Sequence, residues 1–110
     1  MTPAEQKAVN LLERVVAQMP HAEHRSGQTE MVQHVANSID TGSALVVQAG
    51  TGTGKTLGYL VPILAAGQTA IIATYTKALQ DQLASVDLPL LQAACSDDPD
   101  LEFSWAILKG

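Results

Sequence analysis

Lys55 and Thr56 follow Gly50, Gly52 and Gly54 in the stretch A-G-T-G-T-G-K-T at residues 49–56. Alternate glycines let a backbone curl so that its N–H groups point inward, where they can close around phosphate oxygens. Within such a loop Ala49, Gly50, Thr51, Gly52, Thr53 and Gly54 supply main-chain donors. Lys55 brings an ammonium group to the β- and γ-phosphates, and the Thr56 hydroxyl can hold Mg²⁺. Ala49 stands where G-x-x-x-x-G-K-S/T has its first glycine, and it fits if that position needs a small side chain and no positive φ. The chemistry implied is binding of a nucleoside triphosphate with its magnesium ion.

Such a loop must be held between a strand and a helix. Residues 44–48 (ALVVQ) are apolar and β-branched, and read as a buried strand. The helix that follows is expected from Lys55 to about residue 65, with Leu57, Leu60 and Leu64 on its buried face and Pro62 loosening it. Residues 69–74 (TAIIAT) read as a second buried strand, completing a right-handed βαβ unit with a parallel sheet. Residues 102–108 (EFSWAIL) read as a third strand.

Two helices precede the loop. Thr2, Pro3 and Glu5 form a helix start with a capping box, and Ala8, Leu12, Val15 and Met19 repeat at helical spacing until Pro20. A second helix is expected from Gln28 to about residue 40, with a stripe of Met31, Val35 and Ile39, ended by Thr41 and Gly42. Arg25 and Gln28 stand at its entry. A glutamine amide donates and accepts at once, so Gln28 could pair with adenine N6 and N7. An ordinary solvated helix start is the competing reading of this pair.

After the second apolar run, Thr74, Thr76 and Gln80 fall where a strand would give way to a helix, in T-Y-T-K-A-L-Q-D-Q-L at 74–83. Hydroxyl and amide donors there suit phosphate oxygens; a plain helix cap with Leu79 and Leu83 packed inside is the alternative. Residues 88–91 (LPLL) continue after a break as a short helix, and residues 95–100 form an acidic turn with Cys95 half-buried. His21, His24 and His34 do not share a face, and Asp97 and Asp98 read as a solvated loop rather than a metal pair.

The 110 residues suit one domain, and the net charge of −5 argues against a general electrostatic grip on nucleic acid, so any such contact must be local. A single cysteine, Cys95, excludes a disulfide framework or a cysteine metal cluster within these residues. No apolar run reaches membrane-spanning length and the start does not read as a signal peptide, so no membrane partner and a cytoplasmic residence are expected.

Three segments now stand in one order: R-S-G-Q-T-E-M at 25–31, the glycine loop at 49–56, and T-Y-T-K-A-L-Q-D-Q-L at 74–83, followed by A-I-L-K-G at 106–110. Together they resemble the amino-terminal part of a DinG/XPD-type DNA helicase, the iron–sulfur branch of superfamily two. The resemblance implies a partial RecA-like P-loop NTPase domain of α/β class, three parallel strands with flanking helices and two helices before them. Residues 1–110 would then be the amino-terminal part of motor domain one, truncated before the iron–sulfur domain. It implies that Gln28, with Arg25 near it, reads adenine, that Lys55 and Thr56 serve the triphosphate and Mg²⁺, and that Thr74, Thr76 and Gln80 touch single-stranded DNA. Alanine at position 49 is common in that superfamily. Relatives continue into a domain whose four cysteines hold an iron–sulfur cluster, which is expected only in a full-length parent. They also carry a D-E-x-H segment and a second motor domain with a transition-state arginine, none of which is among these residues.

Two other readings stay open. A small P-loop kinase would need lid arginines, yet after Lys55 the basic residues are Lys77 and Lys109 alone. A non-catalytic fragment would share the fold and lack the activity. An unpaired apolar edge at residues 44–48 and marginal stability are also expected.

Overall fold

The computed structural model describes residues 1–18, 26–48 and 55–108. The described residues divide into two compact units, residues 1–69 and 70–110.

The first unit is built on three helices: α1 (Pro3–Ala17), α2 (Ser26–Thr41) and α3 (Lys55–Ala66). Each packs on the other two. The α1 start follows from its sequence: Thr2 Oγ1 accepts the Glu5 amide hydrogen at 3.2 Å and donates to the Glu5 carboxylate at 3.1 Å. This is a capping pair in which the carboxylate takes the hydroxyl rather than the cap's own N–H. Leu11, Leu12 and Val15 then bury one face of α1, against a core completed by Val32 and Ala36 of α2 and Leu60, Val61 and Ala65 of α3. The buried line of α2 runs Gln28, Val32, Ala36, one helical row over from the expected stripe. Met31, Val35 and Ile39 flank it and are half-buried. Gly42 ends α2 at φ +70°, with the Ser43 N–H donating to the Ser38 carbonyl at 3.1 Å. That is the six-to-one bond of a Schellman cap, and the left-handed turn it needs is open to glycine without a Cβ clash. Pro62 is fully buried inside α3, and the helix continues through it to Ala66, ending at Gly67 with φ +66°.

The second unit holds α4 (Lys77–Gln82), a π-helical turn (Leu83–Asp87), α5 (Leu88–Ala94) and a short 3₁₀ turn (Pro99–Leu101). The break expected before Leu88 is instead this wide turn, closed by the Leu88 N–H on the Leu83 carbonyl. Pro89 offers no N–H to Ser85 and would crowd its carbonyl in a regular helix, and a wider turn relieves both. Leu83, Leu91, Ala94, Cys95 and Leu101 are buried here. Cys95 is more deeply buried than expected, and Leu79 is 53% exposed rather than packed.

The expected α/β architecture is not what is found. Among the described residues there is no strand and no sheet, so neither the βαβ unit nor three parallel strands are present. Residues 44–48, 69–74 and 102–108 are irregular, and their apolar side chains stand out: Val46 and Ile71 are each 95% exposed. Phe103 and Trp105 touch with ring centroids 5.8 Å apart, the one aromatic pair recorded in the last of these segments. The reason is general. β-branched composition expresses fitness for a pleated, half-buried surface, and a strand forms only where a neighbouring strand takes up its N–H and C=O groups. Among the described residues no helix is long and apolar enough to cross a membrane.

Candidate functional site

Lys55 is the first residue of α3 and is exposed; Thr56 beside it is half-buried. The first N–H groups of a helix have no intrahelical acceptor and carry the positive end of its dipole, so the start of α3 offers donors beside an ammonium and a hydroxyl. Ala49, Gly50, Thr51, Gly52, Thr53 and Gly54 lie outside the described residues, as does Arg25.

Gln28 sits in the first turn of α2 and is buried, at 6% exposure. It is not without a partner within the protein. The neighbouring Thr29 Oγ1 is buried with no hydrogen-bond partner, a condition that costs about 1–3 kcal/mol.

The two helix starts are tied together by a contact that sequence reasoning missed. The sulfur and Cγ of Met31 lie 2.5 and 3.0 Å from where a Cβ would stand on Gly58, which is buried in α3. Met31 is three residues on from Gln28, and Gly58 three on from Lys55. Each candidate residue is therefore within about 4.5 Å of the crossing, measured along its own helix. The signal in the sequence was an isolated glycine inside a helical pattern, which points to close packing.

In the second unit, Thr76 is the N-cap of α4: its side-chain oxygen accepts from the Leu79 N–H at 3.1 Å. The Thr74 hydroxyl donates to the Thr76 carbonyl at 3.3 Å, and the Gln80 amide donates to the Leu108 carbonyl at 3.4 Å. The cap reading thus describes what Thr76 does here, while its hydroxyl hydrogen is left for another acceptor. Tyr75 between the two threonines is 99% exposed.

Elsewhere, His34 lies 3.8 Å from Glu30 on the exposed side of α2. His21 and His24 lie outside the described residues. Among the described residues no group of three or more His, Cys, Asp or Glu side chains could hold a metal ion. Burial pushes the Asp87 carboxyl above its usual value, against a hydrogen bond from Gln82 that lowers it.

Comparison with known proteins gives the family of the chain. The DEAD/DEAH box helicase family matches residues 25–96, a span that takes in α2, α3 and the α4–α5 run. The chain belongs to the DEAD/DEAH box helicase family. Among its relatives it is DinG-like. It is 46% identical over 92 residues to the ATP-dependent DNA helicase YoaA of Escherichia coli strain K12, covering 84% of this chain and 14% of that protein. It is 46% identical over 90 residues to the ATP-dependent helicase DinG of Mycobacterium tuberculosis strain H37Rv, covering 78% of this chain and 14% of that one. With the ATP-dependent DNA helicase DinG of E. coli K12 the identity is 39% over 99 residues, 84% of this chain and 13% of that protein. The chain thus spans about one-seventh of the length of the curated relatives it matches. No solved structure matches.

Proposed function

We propose that this chain is the nucleotide-binding front end of an ATP-dependent DNA helicase. The observation that carries the reading is the opening of α3 on Lys55 and Thr56, packed beside the start of α2 at Gln28, in a chain of the helicase family. The printed names of the DinG and YoaA relatives support ATP and DNA as the ligands.

In this reading the main chain of residues 49–54 wraps the triphosphate tail and Lys55 neutralises the β- and γ-phosphates. Arg25 and Gln28 take the adenine end. Thr56 would hold Mg²⁺ through its half-buried hydroxyl oxygen, the ion's other ligands being substrate phosphates and water. When bound, the ion supplies charge neutralisation on the phosphate oxygens. The iron–sulfur cluster that the resemblance implies for a full-length parent has no ligand set among these residues, because Cys95 is the sole cysteine and is buried.

Thr74, Thr76 and Gln80 form the single-stranded DNA contact. Thr76 donates its hydroxyl hydrogen to a phosphate while its oxygen keeps the cap, and Thr74 and Gln80 exchange internal acceptors for backbone oxygens of the strand. With a net charge of −5 the contact is local and weak.

The chain by itself binds Mg·ATP weakly and does not turn it over, since the acidic segment and the arginine that complete hydrolysis are not among its residues. Equilibrium binding with a fluorescent ATP analogue, alongside phosphate release in the presence of single-stranded DNA, tests this. Saturable, magnesium-dependent binding without turnover is expected, and hydrolysis at a helicase-like rate would contradict it.

A further inference from the structure

The contact of Met31 with Gly58 has no role in the chemistry above, yet it is the closest approach a glycine makes to another residue among the described residues. A Cβ on Gly27 would meet nothing within 4 Å, and the same is true at Gly42 and Gly67. At Gly58 it would meet Met31 Sδ at 2.5 Å, Cγ at 3.0 Å and Cε at 3.3 Å. Separations below 3 Å lie well inside ordinary contact.

Relief falls first on the Met31 side chain. A methionine tail swings easily about its outer bonds. Cγ, however, is only two bonds from the α2 backbone, and it meets the new carbon as well. Turning the thioether end leaves Cγ at 3.0 Å, which must still give by a few tenths of an ångström, through a small turn of Met31 or a small separation of α2 and α3. Val32 and Val61 are fully buried in the same three-helix core, so the helices cannot slide without disturbing it.

We infer that Gly58 is a positioning residue, and that its contact with Met31 sets the spacing between Gln28 and Lys55 so that one nucleotide can engage both. The inference rests on the proposed roles of Gln28 at adenine and Lys55 at the triphosphate. A glycine here lets α3 approach α2 by the thickness of a methyl group, about one helical turn from Gln28 and from Lys55. Widening the gap moves Gln28 away from a nucleotide whose phosphates stay on α3. The effect falls on the base end. A ligand with phosphates and no base does not sense it.

The test is binding of Mg·ATP and of magnesium tripolyphosphate, measured side by side by calorimetry, on the wild-type chain and on Gly58→Ala, Gly58→Val, Met31→Ala and the double variant Met31→Ala/Gly58→Ala. Helicity by circular dichroism is recorded for each. The wild type is expected to prefer ATP to tripolyphosphate. Gly58→Ala should cut that preference by roughly tenfold, the worth of one amide pair left unmade, with tripolyphosphate binding unchanged within about twofold. Gly58→Val should abolish the preference, and the double variant should restore most of it. Should Gly58→Val fail to fold, Met31→Ala loosens the same contact from the other side and should lower the preference by about threefold.

Equal weakening of both ligands in Gly58→Ala, or an undiminished preference, overturns the inference and leaves the nucleotide reading standing. A double variant no better than Gly58→Ala overturns it as well. A wild-type chain that binds tripolyphosphate as tightly as ATP removes the adenine role of Gln28, and one that binds neither removes the nucleotide reading; the inference falls with either.

Discussion

The side-chain oxygen of Thr76 accepts the amide hydrogen of Leu79 at 3.1 Å, so one threonine both starts α4 and stands in the segment proposed to meet DNA. The two roles use different atoms. The oxygen lone pair serves the cap, and the hydroxyl hydrogen is the one a phosphate would take.

That division allows the roles to be separated. Aspartate caps helices as well as threonine but repels phosphate. Thr76→Asp should keep the unfolding midpoint and lose binding of a labelled single-stranded oligonucleotide at low salt. Thr76→Ala should lose about 1 kcal/mol of stability together with the DNA contact. Oligonucleotide binding that survives Thr76→Asp would show that this segment does not face the strand.

A backbone prediction concerns the two ends of α2. Gly42 holds φ +70°, and Gly42→Ala should cost about 1–2 kcal/mol because an L side chain is strained there. Gly27 lies inside α2 with no neighbour near its missing Cβ, so Gly27→Ala should gain up to about 1 kcal/mol. Urea denaturation followed at a helical wavelength compares the two, and a common sign for both changes would contradict the cap described here.

Val46 in the first unit and Ile71 in the second are each 95% exposed within apolar runs. Such segments, rich in β-branched residues and free of charge, seek a pairing partner. The chain should therefore associate as its concentration rises. Val46→Lys and Ile71→Lys should each reduce that association in light scattering while leaving the circular dichroism spectrum unchanged.

Asp87 gives a pH dependence whose sign is fixed. Burial raises its folded-state pKa above 3.8, so the folded state holds the proton more tightly than the unfolded chain. The associated stabilisation is present below pH 3.8 and is lost as pH rises through the folded value. Asp87→Asn should accordingly unfold at a higher temperature than wild type at pH 7, and the difference should close towards pH 3.8. A lower melting temperature at pH 7 would mean that the hydrogen bond with Gln82 outweighs the burial.

The helices were legible in the sequence because a helix satisfies its hydrogen bonds within itself. Thr2 and Glu5 marked the start of α1 and Gly42 the end of α2, and a helix cap was one of two readings of the segment holding Thr74 and Thr76, each through a bond to residues a few places away. Residues 44–48, 69–74 and 102–108 misled for the opposite reason: their composition favours strands, but a strand depends on partners far along the chain that composition does not reveal. The candidate site divides the same way. Lys55 and Thr56 could be marked by residue type and spacing and Gln28 by the resemblance, whereas an isolated glycine at position 58 hinted at close packing without naming its neighbour Met31, a residue on another helix. The shift of the buried row of α2 from Met31–Val35–Ile39 to Gln28–Val32–Ala36 has a similar origin, since which row is inward depends on where α1 and α3 lie.

The most direct test of the account is calorimetric titration of Mg·ATP into the wild-type chain and into Lys55→Ala. The account predicts magnesium-dependent binding to the wild type and a loss of about tenfold or more in Lys55→Ala, as expected for removing a charge-assisted contact to phosphate. Equal binding by the two chains, or no binding by the wild type, would contradict it.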